Sequence, residues 1–407
     1  MIEPADYGLD NLPFGIISDG RNERPRPAVA FENGVVDLDA LVRAGLLDAE
    51  LLRGATTLNA FLAAGLETWR AVRARLRHLL SVAANARERE LVAKATLPRE
   101  AVTMHLPVTI GDYVDFYSSI EHATNLGRIL RPNTEPLLPN YRHIPIGYHG
   151  RSGTVVVSGT PVRRPHGQRK PPDADAPTFG PSTLLDVEVE MGWIAGAAST
   201  YGEPVPADAV REHVFGYVLL NDWSARDIQA WEYQPLGPFL GKSFATSISP
   251  WIVTLDALEP FRSAEPEREP EPLPYLRSRE SWAYDIQLEL LLQTPRMREH
   301  AHPPLTISRT NLRGMYWTAA QQLAHVTSNG ASIRPGDLFG TGTISGGEPG
   351  TQGSLIELTW RGANTLALPG GETRTFLEDG DTVIVRGRAV RGAARVGFGE
   401  VVGTIVG

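Results

Sequence analysis

Short apolar runs and alternating apolar and polar positions dominate the chain after about residue 105. Clusters of Gly and Pro separate these runs, which is the pattern of strands joined by turns. The predicted strands cover residues 154–158, 184–194, 214–221, 283–292, 354–361 and 382–390. Because few helical repeats lie between them, we expect a mainly β structure with some helices, an α+β fold with mostly antiparallel strands.

Residues 1–106 follow a different pattern. Short strands are predicted within 16–20 and 27–37, with an Asn-Gly turn at residues 33–34. The stretches 38–52 and 57–94 are rich in Ala, Leu, Arg and Glu, which favours helices. We therefore predict a small β domain with helices over residues 1–106 and a larger domain over residues 107–407. The first carries no cluster of catalytic residue types, so its expected role is packing or assembly.

Composition and charge narrow the class of protein. The 407 residues include no cysteine, which excludes disulfides, zinc–thiolate sites and a cysteine nucleophile. The net charge of −8 disfavours nucleic acid and anionic membranes as partners. The apolar runs are too short to span a membrane, and the first residues lack the pattern of a signal peptide. We therefore expect an intracellular, cytoplasmic protein without a nucleic-acid or membrane partner.

The predicted strand at 184–194 carries acidic residues on one face. From Leu185 onward, Asp186, Glu188 and Glu190 alternate with apolar residues. Carboxylates two residues apart on one strand face lie roughly 7 Å apart, and their repulsion grows when the face is buried. Either this face is solvated, as isolated pairs of this kind usually are, or a cation neutralises it.

The apolar run at 214–220 predicts a strand that is buried on both faces and ends before Asp222. Ser224 and Asp227 follow with the spacing of a capping box, so a helix is predicted to begin at Ser224. Asp222 would then lie between a buried strand and a helix N-terminus, where ligand sites are common. The alternative is a turn carboxylate that caps local amides.

Polar side chains that can bind oxygen atoms come next. Arg226, Gln229 and Tyr233 share one face of the predicted helix and form a set of hydrogen-bond donors. Lys242, one of only three lysines, lies in a turn rich in glycine and aromatic residues. Its G-K-S sequence lacks the upstream glycine of a phosphate loop, so no nucleotide site is predicted. A solvated helix face and a solvent-directed lysine stay open as alternatives.

A second polar cluster occupies residues 112–122. Ser118 and Glu121 have the spacing of a capping box, which places His122 in the first turn of a helix and Asp115 just before it. A helix N-terminus disfavours the charged imidazolium, so His122 is a candidate general base as well as a candidate structural residue. The chain has no G-x-S-x-G motif, which disfavours an α/β-hydrolase serine mechanism.

Several of these segments resemble the fumarylacetoacetase (fumarylacetoacetate hydrolase) family. The resemblance is carried by residues 112–131, 147–151, 184–191, 221–242 and 342–346, and the segments 221–229 and 237–244 are highly specific. It extends over about residues 107–407 and more loosely over the N-terminal part. It implies a small SH3-like N-terminal β-barrel domain followed by a large mixed β-roll catalytic domain.

The resemblance also implies roles for individual residues. The divalent cation, usually calcium, would be held by Asp115, Glu188, Glu190 and Asp222. Lys242 and Thr246 match positions linked with magnesium or a second cation. His122 matches the general base and Glu357 the carboxylate that orients it, while Arg226, Gln229 and Lys242 would hold the oxyanion. The implied substrate contacts are Tyr117, Arg131, Tyr148, Gln229, Tyr233 and Thr343.

The implied reaction is metal-dependent hydrolysis of a carbon–carbon bond in 4-fumarylacetoacetate, the last step of tyrosine and phenylalanine catabolism. Its products would be fumarate and acetoacetate, and the implied assembly is a homodimer. Two alternatives stay open: another diketo-acid enzyme of the superfamily, such as an acylpyruvate hydrolase or a decarboxylase/isomerase, and a non-enzymatic calcium-stabilised protein. The long N-terminal part argues against the first, and the pairing of His122 with Glu357 argues against the second.

Overall fold

The computed structural model of the chain describes residues 3–407, which fold into strands joined by short helices and turns. The strands are β1 (Phe14–Asp19), β2 (Asn22–Phe31), β3 (Gly34–Asp37), β4 (Thr96–Pro98), β5 (Val102–His105), β6 (Tyr113–Phe116), β7 (Gly147–His149), β8 (Val155–Val157), β9 (Val162–Arg163), β10 (His166–Arg169), β11 (Thr178–Pro181), β12 (Leu185–Asp186), β13 (Val189–Ala195), β14 (Val214–Asp222), β15 (Ser224–Ala225), β16 (Thr246–Ile248), β17 (Val253–Thr254), β18 (Arg262–Ser263), β19 (Ala283–Tyr284), β20 (Gln287–Gln293), β21 (Leu305–Asn311), β22 (Leu338–Gly340), β23 (Leu366–Ala367), β24 (Thr373–Arg374), β25 (Thr382–Arg391) and β26 (Ala394–Val406). The α-helices are α1 (Leu38–Arg43), α2 (Asn59–Ala63), α3 (Leu66–Leu79), α4 (Ala86–Ala95), α5 (Ile120–Leu130), α6 (Val210–His213), α7 (Arg226–Glu232), α8 (Leu255–Leu258), α9 (Pro295–Glu299), α10 (Ala319–Thr327) and α11 (Leu355–Leu358).

The N-terminal part is built on a five-stranded antiparallel sheet with the strand order β4-β3-β2-β1-β5. Asp37 ends β3 and starts α1, because its side chain accepts a hydrogen bond from the N–H of Ala40 at 2.9 Å. Asn85 and Glu88 form a reciprocal capping box at the start of α4. Helices α1 to α4 pack their apolar faces into a core that they share with this sheet.

An eight-stranded sheet, which we call the first large sheet, and a second sheet of five strands form most of the rest of the structure, together with four two-stranded pairs. The first has the order β7-β6-β22-β13-β14-β16-β8, with β17 beside β14, and the second has the order β21-β20-β25-β26-β9. Their faces approach closely at two glycines. A Cβ atom added to Gly387 would lie 2.5 Å from Leu219, and one added to Gly403 would lie 2.3 Å from Trp223. The absence of side chains at these points lets the two sheets pack against each other.

The predicted fold class is confirmed, since strands with some short helices make up the chain. The predicted strand at 214–221 corresponds to β14, all of whose residues are buried. The predicted strand at 184–194 is interrupted between Asp186 and Val189, so that β12 and β13 pair with different partners. The boundary between residues 1–106 and 107–407 stays a prediction.

The strand predicted for residues 354–361 is wrong, because this segment forms the short helix α11. The two oxygens of Asp186 accept hydrogen bonds from the N–H groups of Leu355 and Ile356 at 2.7 Å and 3.1 Å. These N–H groups belong to the first turn of the helix, where intrahelical partners are missing. A carboxylate far away in the chain therefore selects the helical conformation of an apolar segment.

An aromatic cluster joins the N-terminal part to the first large sheet. Phe215 of β14 lies with its ring centroid 5.6 Å from Phe14, 5.9 Å from Phe61 and 5.2 Å from Trp69. All three contacts are edge-on, which is a favourable geometry for aromatic pairs. The N-terminal part thus packs against the strand that ends at Asp222. None of the helices in residues 3–407 combines the length and the apolar character that crossing a membrane requires.

Phe215→Ala should reduce the free energy of unfolding by about 3–5 kcal/mol, because it leaves a cavity between the N-terminal part and β14. Urea denaturation followed by tryptophan fluorescence and circular dichroism measures the change. Phe179→Ala is the matched control, since Phe179 is 75% exposed, and its unfolding midpoint should stay close to that of the parent. Equal midpoints for the two variants would contradict the structural importance of the aromatic cluster.

Candidate active site

Three carboxylates from different strands converge in the first large sheet. Asp115 lies in β6, Glu190 in β13 and Asp222 at the end of β14. Each offers an oxygen within 4.8 Å of the oxygens of the other two, and all three residues are buried. Gly340 of β22 leaves room for them, because a Cβ atom there would lie 2.8 Å from Asp115 Oδ1 and 3.0 Å from Glu190 Oε2. We call these three residues the acid cluster.

Ionisation of the three carboxyl groups of the acid cluster is unfavourable. Burial, followed by the neighbouring charge of Asp222, raises the pKa of Asp115 well above its usual range. Burial and then the charge of Asp115 do the same to the pKa of Glu190. Burial also raises the pKa of Asp222, although the ammonium of Lys242 opposes this effect. A positive charge bound between these groups would favour the ionised carboxylates and so oppose both the effect of burial and the repulsion.

The oxygens of the acid cluster fit a divalent cation. Asp115 Oδ1 and Glu190 Oε1 are buried and have no hydrogen-bond partner among residues 3–407. Buried carboxylate oxygens without partners are rare unless an ion or water binds them. A set made only of oxygen ligands suits hard cations such as Ca²⁺ and Mg²⁺.

Glu188, the fourth predicted ligand, lies beside the acid cluster and contacts two positively charged side chains. Its Oε1 is 2.8 Å from Arg226 Nη2, and its Oε2 accepts a hydrogen bond from Lys242. Burial would raise the pKa of Glu188, but the charges of Lys242 and then Arg226 hold it below its usual range. Lys242 Nζ also donates to Asp222 Oδ2 at 2.9 Å. Lys242 therefore links Glu188 to the acid cluster.

Thr246 lies next to the same carboxylate. Its hydroxyl donates a hydrogen bond to Asp222 Oδ1 at 3.0 Å, and β16 pairs Thr246 directly with Asp222. The structure thus brings together all six residues that the sequence suggests for cation binding, with Lys242 already paired to two of the carboxylates. The metal-ligand roles of these residues stay predictions.

His122 and Glu357 form a buried pair. His122 Nδ1 lies 2.7 Å from Glu357 Oε2 although the two residues are 235 positions apart in the chain. Helix α5 holds the imidazole in its first turn, as predicted, but the capping residue differs from the prediction. The hydroxyl of Ser119, not of Ser118, accepts the hydrogen bond from the N–H of His122 at 3.2 Å.

Three further polar groups hold the carboxylate of Glu357. The hydroxyls of Ser345 and Ser354 donate to Oε2 at 2.9 Å and 2.7 Å, and Asn125 Nδ2 donates to Oε1 at 3.0 Å. Burial opposes ionisation of Glu357, but His122 and then these hydrogen bonds lower its pKa. Sequence reasoning missed the three residues. The spacing of Ser354 and Glu357 is that of a capping box, which could have revealed both their contact and helix α11.

Arg226 begins α7, and its guanidinium lies close to the acidic residues of β12 and the following turn. Its Nε donates to Asp186 Oδ2 at 2.8 Å and its Nη1 donates to Gln229 Oε1 at 3.2 Å. The predicted cap at Ser224 is wrong, because Ser224 lies in β15 and pairs with Asp186 of β12. This pairing moves the N-cap by one residue, to Ala225, and sets Arg226 beside Asp186.

The amino-acid sequence matches known proteins over its whole length. The family model "Fumarylacetoacetase N-terminal" matches residues 10–107, and the model "Fumarylacetoacetate (FAA) hydrolase C-terminal" matches residues 113–406. The fumarylacetoacetase of Rattus norvegicus is 47% identical over 414 residues, which covers 100% of this chain and 97% of that protein. The fumarylacetoacetase of Homo sapiens is 47% identical over 415 residues with the same coverage.

The chain belongs to the fumarylacetoacetase family. A solved structure described as fumarylacetoacetate hydrolase from psychrophilic Exiguobacterium antarcticum aligns with a TM-score of 0.55 over 97% of this chain and 99% of that chain. Its sequence identity is 15%, so this alignment supports the fold alone.

The residues that the family resemblance suggests as substrate contacts surround this centre to different extents. The ring centroid of Tyr117 lies 5.4 Å from that of His122, and the hydroxyl of Tyr148 donates to Asp222 Oδ2 at 3.3 Å. Thr343 Oγ1 is buried without a hydrogen-bond partner among residues 3–407. Gln229 contacts Arg226, as described above.

Arg131 and Tyr233 lie at the ends of helices. Arg131 follows α5 and donates to the carbonyl of Pro136 at 3.1 Å, and Tyr233 follows α7 and accepts from Gln234 Nε2 at 3.2 Å. Burial raises the pKa of Tyr117, and the charge of Arg131 is among the influences that oppose this shift. The substrate roles of all these residues stay predictions.

Glu190→Gln should weaken binding of Ca²⁺ or Mg²⁺ by at least about tenfold, because it removes one negative charge from the acid cluster with little change in shape. Isothermal titration calorimetry measures the affinity. Glu88→Gln is a matched control, since Glu88 is also buried but lies in α4 of the N-terminal part. An affinity equal to that of the parent in Glu190→Gln would remove Glu190 from the ligand set.

Proposed function

We propose that this chain hydrolyses the carbon–carbon bond of 4-fumarylacetoacetate and releases fumarate and acetoacetate. The observation that carries the proposal is the buried pair of His122 and Glu357 near a buried acid cluster that fits a divalent cation. Glu188, beside this cluster, contacts Arg226, and Arg226 contacts Asp186, which binds the first turn of the helix that carries Glu357. This chain of contacts joins the pair to the surroundings of the cluster. Full-length relatives named fumarylacetoacetase support the choice of substrate.

The reaction requires a base for water and a means of carrying negative charge on the leaving group. Asp115, Glu188, Glu190 and Asp222 would hold the divalent cation. When bound, the cation would supply a Lewis acid that withdraws electrons from the substrate oxygens and so favours departure of the acetoacetate carbanion. We assign it as calcium, with magnesium as the alternative, and place Lys242 and Thr246 near a second position.

His122 would take the proton from water. Because Glu357 occupies Nδ1, the imidazole presents Nε2 as the basic nitrogen, and this orientation depends on the carboxylate staying ionised. The three donors around Glu357 keep it so. General base action of this kind contributes roughly 10²–10⁴ in rate. The hydroxide then attacks the carbonyl carbon on the fumaryl side, the carbon–carbon bond breaks, and the carbanion takes up a proton.

Arg226, Gln229 and Lys242 would stabilise the oxyanion that forms during the attack. Gln229 accepts from Arg226 through its carbonyl oxygen, which leaves its amide group able to donate. Well-placed donors of this kind are worth about 3–4 kcal/mol each. Tyr117, Arg131, Tyr148, Tyr233 and Thr343 would bind the substrate. The homodimer and the cytoplasmic location are further proposals that rest on the family resemblance.

The decisive assay compares fumarylacetoacetate with fumarylpyruvate, with and without a chelator. We expect loss of the ultraviolet absorbance of fumarylacetoacetate, faster turnover of it than of fumarylpyruvate, inhibition by chelator and recovery when Ca²⁺ or Mg²⁺ is added back. Faster turnover of fumarylpyruvate would favour an acylpyruvate hydrolase, and absence of turnover of both would favour a non-enzymatic protein.

His122→Ala should retain the fold and the cation affinity but lose roughly 10²–10⁴ in kcat, because no other group replaces the base. Steady-state kinetics, circular dichroism and calorimetry measure the three properties. His213→Ala is the control, since His213 ends α6 and its Nδ1 lies 3.0 Å from the carbonyl oxygen of Ala197, just beyond β13. Turnover of His122→Ala at the parental rate would remove His122 from the mechanism.

A further inference from the structure

Asp186 is a fully buried carboxylate to which neither the cation site nor the proposed base assigns a task. Its two oxygens accept hydrogen bonds from four N–H groups. Oδ1 accepts from the backbone of Val187 at 2.8 Å and of Leu355 at 2.7 Å. Oδ2 accepts from the backbone of Ile356 at 3.1 Å and from Arg226 Nε at 2.8 Å.

Three of these four donors belong to two separate elements of the proposed reaction centre, helices α11 and α7. Leu355 and Ile356 form the first turn of α11, and the next residue is Glu357, which holds His122. Arg226 is the first residue of α7 and one of the proposed oxyanion donors. Asp186 therefore contacts the backbone of α11, the helix whose Glu357 orients the proposed base. It also contacts the guanidinium of Arg226, a proposed oxyanion donor.

We propose that Asp186 is a positioning residue that sets the separation between the His122–Glu357 pair and Arg226. This inference rests on the proposed function, because it assumes that both groups act on one substrate. Apart from Asp186, the guanidinium of Arg226 contacts Glu188 and Gln229. Glu188 reaches α11 only through its backbone, which forms a bridge with Ser354. Within residues 3–407, Asp186 is therefore the one side chain that binds both the guanidinium and the N–H groups of α11. A misplacement of about 1 Å costs roughly 10²-fold in rate, so this tie matters for turnover.

Asp186→Asn tests the proposal with little change in volume. Asparagine offers one acceptor oxygen, and its NH₂ group would face two N–H donors in either orientation of the amide. An NH₂ group at the Oδ2 position loses the contacts with Ile356 and Arg226, and one at the Oδ1 position loses those with Val187 and Leu355. In either orientation, residue 186 loses its charge and one of its two hydrogen bonds to α11. We expect the variant to fold, with kcat reduced by about 30-fold or more and KM changed by less than about threefold, because a positioning defect acts on the transition state and not on substrate binding.

Double-mutant cycles separate positioning from a general loss of packing. Asp186→Asn is combined with Arg226→Ala and, separately, with Glu357→Gln. If Asp186 acts through both partners, each double variant loses clearly less activity than the product of its two single losses. If the losses multiply in either cycle, Asp186 does not bridge the two groups and the proposal is overturned.

Asp381→Asn is the matched control. Asp381 is equally buried and accepts from Arg374 Nε at 2.9 Å and from the N–H of Glu378 at 2.9 Å. Neither partner belongs to the proposed centre. This variant should lower Tm without changing kcat, and its effect should multiply with that of Arg226→Ala. A kcat loss in Asp381→Asn equal to that in Asp186→Asn would overturn the positioning role.

Two further arms keep the proposal testable. If Asp186→Asn does not fold, Asp186→Glu replaces it in both cycles, since it keeps the charge and moves both oxygens by one methylene. Wild-type kcat in a folded Asp186→Glu or Asp186→Asn overturns the proposal. If the unsubstituted chain does not turn over fumarylacetoacetate, the proposed function is wrong. If it does so and substitution of Asp186 leaves kcat unchanged, only the positioning role of Asp186 is wrong.

Discussion

Burial of like charges is the constraint on which the centre of this structure depends. Asp115, Glu190 and Asp222 are brought within 4.8 Å of one another inside a sheet, where water cannot screen them. Lys242 offsets part of this charge by contacting Asp222 and Glu188. One oxygen each of Asp115 and Glu190 has no hydrogen-bond partner within residues 3–407, which leaves these oxygens free to bind a cation. The fold thus holds three carboxylates in an arrangement that could bind a cation.

The sheet creates this arrangement through register. Pairing of β22 with β6 and β13 sets Asp115 and Glu190 on either side of Gly340, which has no side chain to separate them. Pairing of β14 with β16 sets Asp222 opposite Thr246. The N-terminal part packs against the same β14 through Phe215, so it stabilises the strand that ends at Asp222. Scaffold and site therefore share one element.

A second set of interactions surrounds Glu357. Its carboxylate accepts from His122, Ser345, Ser354 and Asn125, so it stays ionised despite burial. The acid cluster and this pair use carboxylates in opposite ways. In the acid cluster, burial and neighbouring negative charges raise the pKa values, and a bound cation would oppose this effect. In the second, hydrogen-bond donors lower the pKa and orient an imidazole. The contrast follows from the neighbours of each group, since the side chains are chemically alike.

The amino-acid sequence by itself determined much of this protein. The apolar run of β14, the helical first turn around His122 and the candidate ligands all follow from local patterns, and the family resemblance supplied the roles. Tertiary structure decided the rest. Residues 354–361 alternate like a strand but form a helix because Asp186 binds their N–H groups. Glu188 lies in the break between β12 and β13, and there its carboxylate contacts Lys242 and Arg226. These outcomes depend on contacts between residues far apart in the chain, and local periodicity carries no information about them.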